Sequence, residues 1–289
     1  LGATIPNQAL LVDSLILQEA KTSSEIENII TTSDALFRAF TASTSKIDSA
    51  TKEVLRYREA LWKGLNDLQK RPVLSTNLFI DLVQTIKEHK GGIRSMPGTV
   101  VANATTKKVL YTPPEGEAVI RDHLKRLLEF MHADDDMDPL VKLALIHYQF
   151  EAIHPFPDGN GRVGRIINIL FLIQQGLLDL PVLYLSRAII ERKSDYYRLL
   201  RQVTEKRTWE PWVLFMLKAV EDMAIFTRER ILVIRALMDE TTAVAKEKLP
   251  SRVYSKELIE TIFRQPYTKG QFLVDAGIAK RQTAAEYLK

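Results

Sequence analysis

Residues 138–176 read DPLVKLALIHYQFEAIHPFPDGNGRVGRIINILFLIQQG, and they decide the fold. Asp138 can cap a helix whose first residue is Pro139. From Pro139 to Ile153 apolar residues occur nearly all round the helical wheel, so this helix is expected to be buried. Arg162 to Gln175 repeats the pattern and stops at Gly176, a C′ residue. Two buried helices joined by a Pro- and Gly-rich dozen residues form the centre of a helical domain.

Outward from there the period stays helical. Leu10, Leu11, Leu15 and Ile16 share a face. The polar stretch Lys21–Ser24 interrupts, and Glu25 to Phe40 is helical again with breaks. Ile47, Val54, Leu61, Trp62, Leu65 and Leu68 make a long stripe that stops before Pro72. Leu78–Lys87 is a further helix. Thr99–Val101 and Lys108–Tyr111 are short β-type runs around Asn103-Ala104-Thr105-Thr106, a hairpin signal. Helices follow from Val119 to Met131, Arg187 to Glu205 and Trp209 to Leu237. Asp134-Asp135-Asp136 reads as an acidic loop rather than a metal cluster. Lys246–Arg252, with Pro250, reads as a linker. The expectation is an all-α chain with one small hairpin, divided at 1–70, 71–245 and 246–289.

Composition agrees. The 289 residues are 46% hydrophobic and 26% charged, which suits a globular chain and not a disordered one. With no cysteine, disulfides, thiolate metal sites and a cysteine nucleophile are excluded, and a reducing, cytoplasmic setting fits. No apolar run approaches the ~20 residues of a membrane helix, and nothing reads as a signal peptide. The chain opens at Leu1 rather than Met, which reads as a truncated start. The net charge of +4 neither demands nor forbids nucleic acid.

The connecting segment carries chemistry. Its two prolines should end the first helix and hold His154 extended. Gly159, Asn160 and Gly161 can take positive φ, so their amides can converge on an anion, with a helix N-terminus facing the same place. Arg162 and Arg165 oppose the helix dipole, at about 0.3–1 kcal/mol each, which makes sense with an anion between them. Arginine matches phosphate by its planar fork. Asp158 beside that anion calls for a hard cation such as Mg²⁺. His154 is suited to taking a proton near neutral pH.

His154-Pro155-Phe156-Pro157-Asp158-Gly159-Asn160-Gly161-Arg162-Val163-Gly164-Arg165 resembles the signature of the Fic (filamentation induced by cAMP) family, and matches it at every specified position. The resemblance runs from about Ser23 to Phe215, and more loosely to the C-terminus. It implies a Fic-type helical bundle with a hairpin flap, and AMP transfer from ATP to a protein hydroxyl. His154 would be the general base and Asp158 would hold Mg²⁺. Gly159, Asn160 and Gly161 would form the anion hole, with Val163 and Gly164 in the same ATP-binding stretch. Arg162 would meet the β-phosphate, Arg165 the γ-phosphate, and Phe156 would anchor the packing. Val100 and Val101 would dock the target by strand addition. Tyr196 and Tyr197 either line the adenosine pocket or simply pack.

Ser23-Ser24-Glu25-Ile26-Glu27-Asn28 resembles the family's inhibitory pattern. Ser23 and Glu27 are four apart and share a helix face. The resemblance implies that Glu27 pairs with Arg165 and denies it to ATP. The competing reading is a capping box of Ser24 with Glu27. His147 is expected to be a hydrogen-bonded core residue. The C-terminal runs around Leu258, Phe272 and Thr283 resemble part of a winged helix-turn-helix, with Lys280, Arg281 and Lys289 placed for DNA; a helical dimerisation or partner module fits as well. Three functions follow. The first is an autoinhibited adenylyltransferase, acting on a protein target and itself and open to forming a homodimer. The second is a DNA-binding regulator with a nucleotide-sensing core. The third is an enzyme that transfers another group or removes AMP.

Overall fold

The computed structural model describes residues 8–41, 47–102, 109–263 and 267–288. In chain order the helices are α1 (Gln8–Ile26), α2 (Ser33–Thr41), α3 (Ser49–Lys70), α4 (Thr76–Lys87), α5 (Glu117–His132), α6 (Pro139–Ile153) and α7 (Asn160–Gln174). They continue as α8 (Leu185–Glu191), α9 (Lys193–Lys206), α10 (Trp209–Lys248), α11 (Lys256–Phe263), α12 (Gly270–Asp275) and α13 (Arg281–Tyr287). Strands β1 (Val101–Ala102) and β2 (Val109–Tyr111) pair antiparallel between α4 and α5, with Val101 opposite Tyr111. The all-α class with one small hairpin is as the periodicity reads. The turn residues Asn103–Thr106, Lys108, Lys289 and the side chains of Leu10 and Leu11 lie outside the described residues.

Helices α6 and α7 sit at the centre. The Asp138 carboxylate caps α6 by accepting from the Leu140 N–H at 2.7 Å, and Pro139 is the first helical residue. Leu143, Ile146 and Phe150 of α6 and the run Ile166–Phe171 of α7 are buried, mostly to zero exposure. Around them pack α3, α4, α5, α9 and the first half of α10. The acidic loop is a loop: Asp135 pairs with Lys142 at 2.8 Å and accepts the Met137 N–H. No group of three or more His, Asp or Glu side chains forms a metal site among the described residues.

Several boundaries differ from the sequence reading, four of them near the site or between units. α1 runs unbroken through Lys21–Ser24, because Thr22, Ser23 and Ser24 are buried and the first two find distant partners. The helix expected from Arg187 to Glu205 is two, parted at Arg192 (φ −125°, ψ 36°). α10 continues past Leu237 to Lys248, so the expected linker starts inside a helix and Leu249 begins the connection. α7 starts at Asn160, two residues earlier than read. Among the described residues no helix is long and apolar enough to cross a membrane.

Helices α11–α13 form their own small core of Leu258, Leu273 and Ala284, with Gly277 (φ 68°) turning the chain between α12 and α13. Lys280 and Arg281 stand exposed at the start of α13. This unit touches α2, where Lys269 Nζ donates to the Thr41 carbonyl at 2.9 Å and the Tyr267 hydroxyl meets Asp34.

Candidate active site

The chain leaves α6 through His154, whose φ of 49° and ψ of 59° are left-handed rather than extended. Pro155 excludes the right-handed region as read, and the left-handed alternative turns the backbone off the helix axis. Arg94 secures this turn. Its Nε donates to the His154 carbonyl at 2.7 Å, Nη2 to those of Ile153 (3.4 Å) and Pro114, and its backbone N–H to Pro155 at 2.9 Å. The last carbonyl of the helix and that of its cap residue are thereby satisfied. Asn160 ties the next turn: Oδ1 accepts the Phe156 N–H at 2.8 Å and Nδ2 donates to the Phe156 carbonyl at 2.7 Å. Phe156 is fully buried, as expected of an anchor.

Of the three residues read as an amide nest, only Gly159 has positive φ (86°). Asn160 and Gly161 are already helical, so the converging donors are the first-turn amides of α7, reinforced by the helix dipole. Val163 faces the core with no exposure. Gly164 packs against α6: a Cβ there would stand 2.6 Å from Glu151 Oε1.

Both arginines are 1% exposed and each already holds a carboxylate. Arg162 Nη1 meets Glu53 Oε1 of α3 at 2.5 Å, and Lys87 of α4 bridges Glu53 (2.8 Å) to Asp158 (2.6 Å). Burial raises the Glu53 pKa, but hydrogen bonds from Lys87 and Arg162 overcome it and hold the carboxyl below its ordinary value. Asp158 follows the same pattern, lifted by burial and lowered further by Lys87 and Arg162. Removing Glu53 leaves the buried Arg162 guanidinium only a 3.7 Å contact to the exposed Asp158. We therefore expect Glu53→Ala to destabilise the fold by about 3 kcal/mol, read as a lower thermal midpoint; an unchanged midpoint would show that Asp158 suffices as counter-ion.

Arg165 is gripped from α1. Its Nε donates to Ser23 Oγ at 2.7 Å, and Nη2 donates to the Ser23 carbonyl at 2.8 Å and to Glu27 Oε1 at 2.9 Å. Burial opposes its charge, and Glu27 more than restores it. Ser24 lies inside the last turn of α1, so the capping box does not form. Instead α1 ends in a Schellman turn: Ile29 N–H donates to Ser24 O and Asn28 N–H to Glu25 O, both at 3.0 Å. Asn28 takes φ 62°, a conformation asparagine tolerates. The turn swings Glu27 onto α7 at Gly161, where a Cβ would lie 2.3 Å from Glu27 Oε1.

Glu27, Gly161 and Arg165 close one end of a cavity of about 430 Å³, and His154 opens into it. The flap (Val101, Leu110, Tyr111) and α9 (Tyr197, Leu200, Thr204) complete its lining. The Tyr111 hydroxyl holds the flap to the α6 terminus by donating to the Ala152 carbonyl at 2.8 Å. Val100 precedes β1 and is 45% exposed. The tyrosine pair divides. Both line the cavity, but Tyr197 is half exposed there, whereas Tyr196 is also packed into the core, where its hydroxyl bonds His147 Nε2 at 2.9 Å. His147 is the core residue expected, bonded also to Asn168, stacked on Trp212 and depressed by burial to about 3.

Three family models match the chain: "Fic/DOC family N-terminal" over residues 1–66, "Fic/DOC family" over 73–172, and "Protein adenylyltransferase SoFic-like, C-terminal domain" over 237–289. The chain belongs to the Fic family. A probable protein adenylyltransferase of Aquifex aeolicus is 37% identical over 95 residues, which are 33% of this chain and 27% of that protein. Protein adenylyltransferase fic-1 of Caenorhabditis elegans is 29% identical over 113 residues, 38% of this chain and 21% of the relative. The chain thus matches about a quarter or less of these relatives' lengths. A Fic family protein from Desulfovibrio desulfuricans shares the fold, with a TM-score of 0.65 at 21% identity, covering 98% of this chain and 80% of that one.

Within this Fic fold the motif residues lie together, and Arg165 meets Glu27 as the resemblance implied. The other partners were not readable: Glu53 is 109 residues from Arg162. Lys87 ends an ordinary amphipathic helix, and Arg94 sits in a stretch without period. Glu151, three residues before His154, has no local signal at all. Only the unexplained pair of helix-terminal arginines pointed to missing anions.

Proposed function

We propose that this Fic chain is an autoinhibited protein adenylyltransferase, moving AMP from ATP to a Ser, Thr or Tyr hydroxyl of a target protein and of itself. One observation carries the reading: His154 and Arg165 open into the same cavity, across the N-terminus of α7. A base, an anion-binding helix end and a buried guanidinium are the parts a phosphate-directed displacement needs. The polyphosphate lies over the first-turn amides of α7, with Arg162 on its β-phosphate. The nucleoside extends toward Tyr197 and the flap.

The target presents its hydroxyl along β1, guided by backbone pairing near Val100 and Val101. His154 takes the hydroxyl proton as the oxygen attacks the α-phosphorus. The bond to the β-phosphate oxygen breaks, and pyrophosphate leaves. Asp158 suits Mg²⁺: it is an exposed, ionised hard-oxygen donor beside Lys87 and Arg162 just before α7, though not among the residues lining the cavity, and this ion typically uses one or two carboxylates plus substrate phosphates. Mg²⁺ bound there would neutralise charge on the phosphates. The brake is residue 27. While Glu27 and Ser23 hold Arg165, the γ-phosphate has no guanidinium and ATP is held unproductively. Residues 1–70 carry this brake, the catalytic core runs from 71 to the end of α10 at Lys248, and the remainder is an accessory module.

Mass spectrometry of the Glu27→Gly protein with ATP and Mg²⁺ tests the reading. An added adenylate on the chain is expected, and none would overturn it. Acidity offers a second check, because His154 acts as a base only when neutral. Burial, and then the nearby Arg94 cation, lower its pKa below 6.5. The acid limb of the rate profile should fall below that value, and Arg94→Gln should move it to higher pH. A limb that stays in place would show that Arg94 does not tune His154.

A further inference from the structure

Glu151 is the one residue of the cavity wall, among those described, with a buried side-chain oxygen that has no hydrogen-bond partner. Its Oε1 is held hard against α7 at Gly164, beyond reach of the Arg165 guanidinium as an ion pair. Leaving a buried acceptor unpaired is unfavourable, and because the side chain as a whole lines the cavity, a donor arriving there can satisfy the carboxyl. The donor's identity follows from position. Glu151 lies one turn before His154 on α6, about 4.5 Å along the axis, and packs one turn into α7 from the amides that hold phosphate. The sugar is the part of a nucleotide joined directly to its phosphates. On that reading the base is left the part of the cavity lined by Tyr148, Tyr197 and Thr204.

Resting on the nucleotide reading above, we propose that Glu151 is a specificity residue that hydrogen-bonds a ribose hydroxyl and so selects ribonucleotide over deoxyribonucleotide. Its protonation suits the task. With Glu27 in place, burial pushes the carboxyl up to about 7, against the pull of Arg165 and with a lesser push from Glu27. A neutral carboxyl both accepts and donates, as a hydroxyl partner requires.

The test is calorimetric titration in the Glu27→Gly background with ATP, 2′-deoxy-ATP and 3′-deoxy-ATP. With Glu151 intact, one deoxy analogue should bind about tenfold more weakly than ATP. Glu151→Ala should bring that ratio close to one, and Glu151→Gln, which keeps acceptor and donor, should preserve it. Equal ratios in all three proteins, each melting cooperatively, would overturn the assignment while leaving the function intact. Failure of the parent protein to bind ATP at all would overturn both.

Discussion

Glu27→Gly should raise self-adenylylation by roughly 10–100-fold. A hydrogen bond to a charged partner contributes about 1.5–3 kcal/mol, which corresponds to about one to two decades in the population of free Arg165. The substitution removes one of three contacts on that guanidinium and leaves both to Ser23. It also clears the space over Gly161, which Glu27 Oε1 now fills. The change lies past the end of α1, in a half-exposed turn, so the fold should not suffer. Incorporation of labelled adenylate, wild type against variant, reads the effect. Equal labelling would show that the Glu27–Arg165 pair restrains nothing.

In that released background, His154→Ala should lower the rate by about 10²–10⁴, the range for loss of a general base, while ATP still binds. Alanine is strained at a φ of 49°, so folding could fail for backbone reasons alone. His154→Asn controls for this, because asparagine tolerates the left-handed region and brings no base. Both variants should be inactive, and the asparagine form should melt with the parent. Activity retained by the asparagine form would remove His154 from the chemistry.

The parts of the fold legible in the sequence were those decided by local chemistry. α6 and α7 are apolar all round and become the core, Asp138 and Pro139 start α6 where read, and His147 is buried and neutral. What escaped was decided across the chain. Lys21–Ser24 looked too polar for a helix, yet α1 continues because Thr22 meets Tyr184 and Ser23 meets Arg165. Glu19, on the same buried face, is satisfied by Ser186 and Tyr57. The break at Arg192 has neither glycine nor proline to announce it.

The motif itself was legible as chemistry but not as electrostatics. Two arginines at a helix N-terminus signalled a missing anion, and a ligand phosphate was the natural candidate. In the structure two carboxylates of the chain stand there: Glu27 on Arg165, as the resemblance implied, and Glu53 on Arg162, which nothing in the sequence announced. The two pairings differ in consequence. Glu53 belongs to a network with Lys87 and Asp158 that braces the loop. Glu27 comes from a separate turn with a single contact to the guanidinium, which makes it the replaceable one.

The most direct measurement uses ATP labelled either at the α- or at the γ-phosphorus, with Mg²⁺ and the Glu27→Gly protein. Adenylate transfer from this cavity puts the α label on the protein and leaves the γ label in pyrophosphate. Label arriving from the γ position, or from neither, would contradict the geometry assigned to His154, the α7 amides and Arg165.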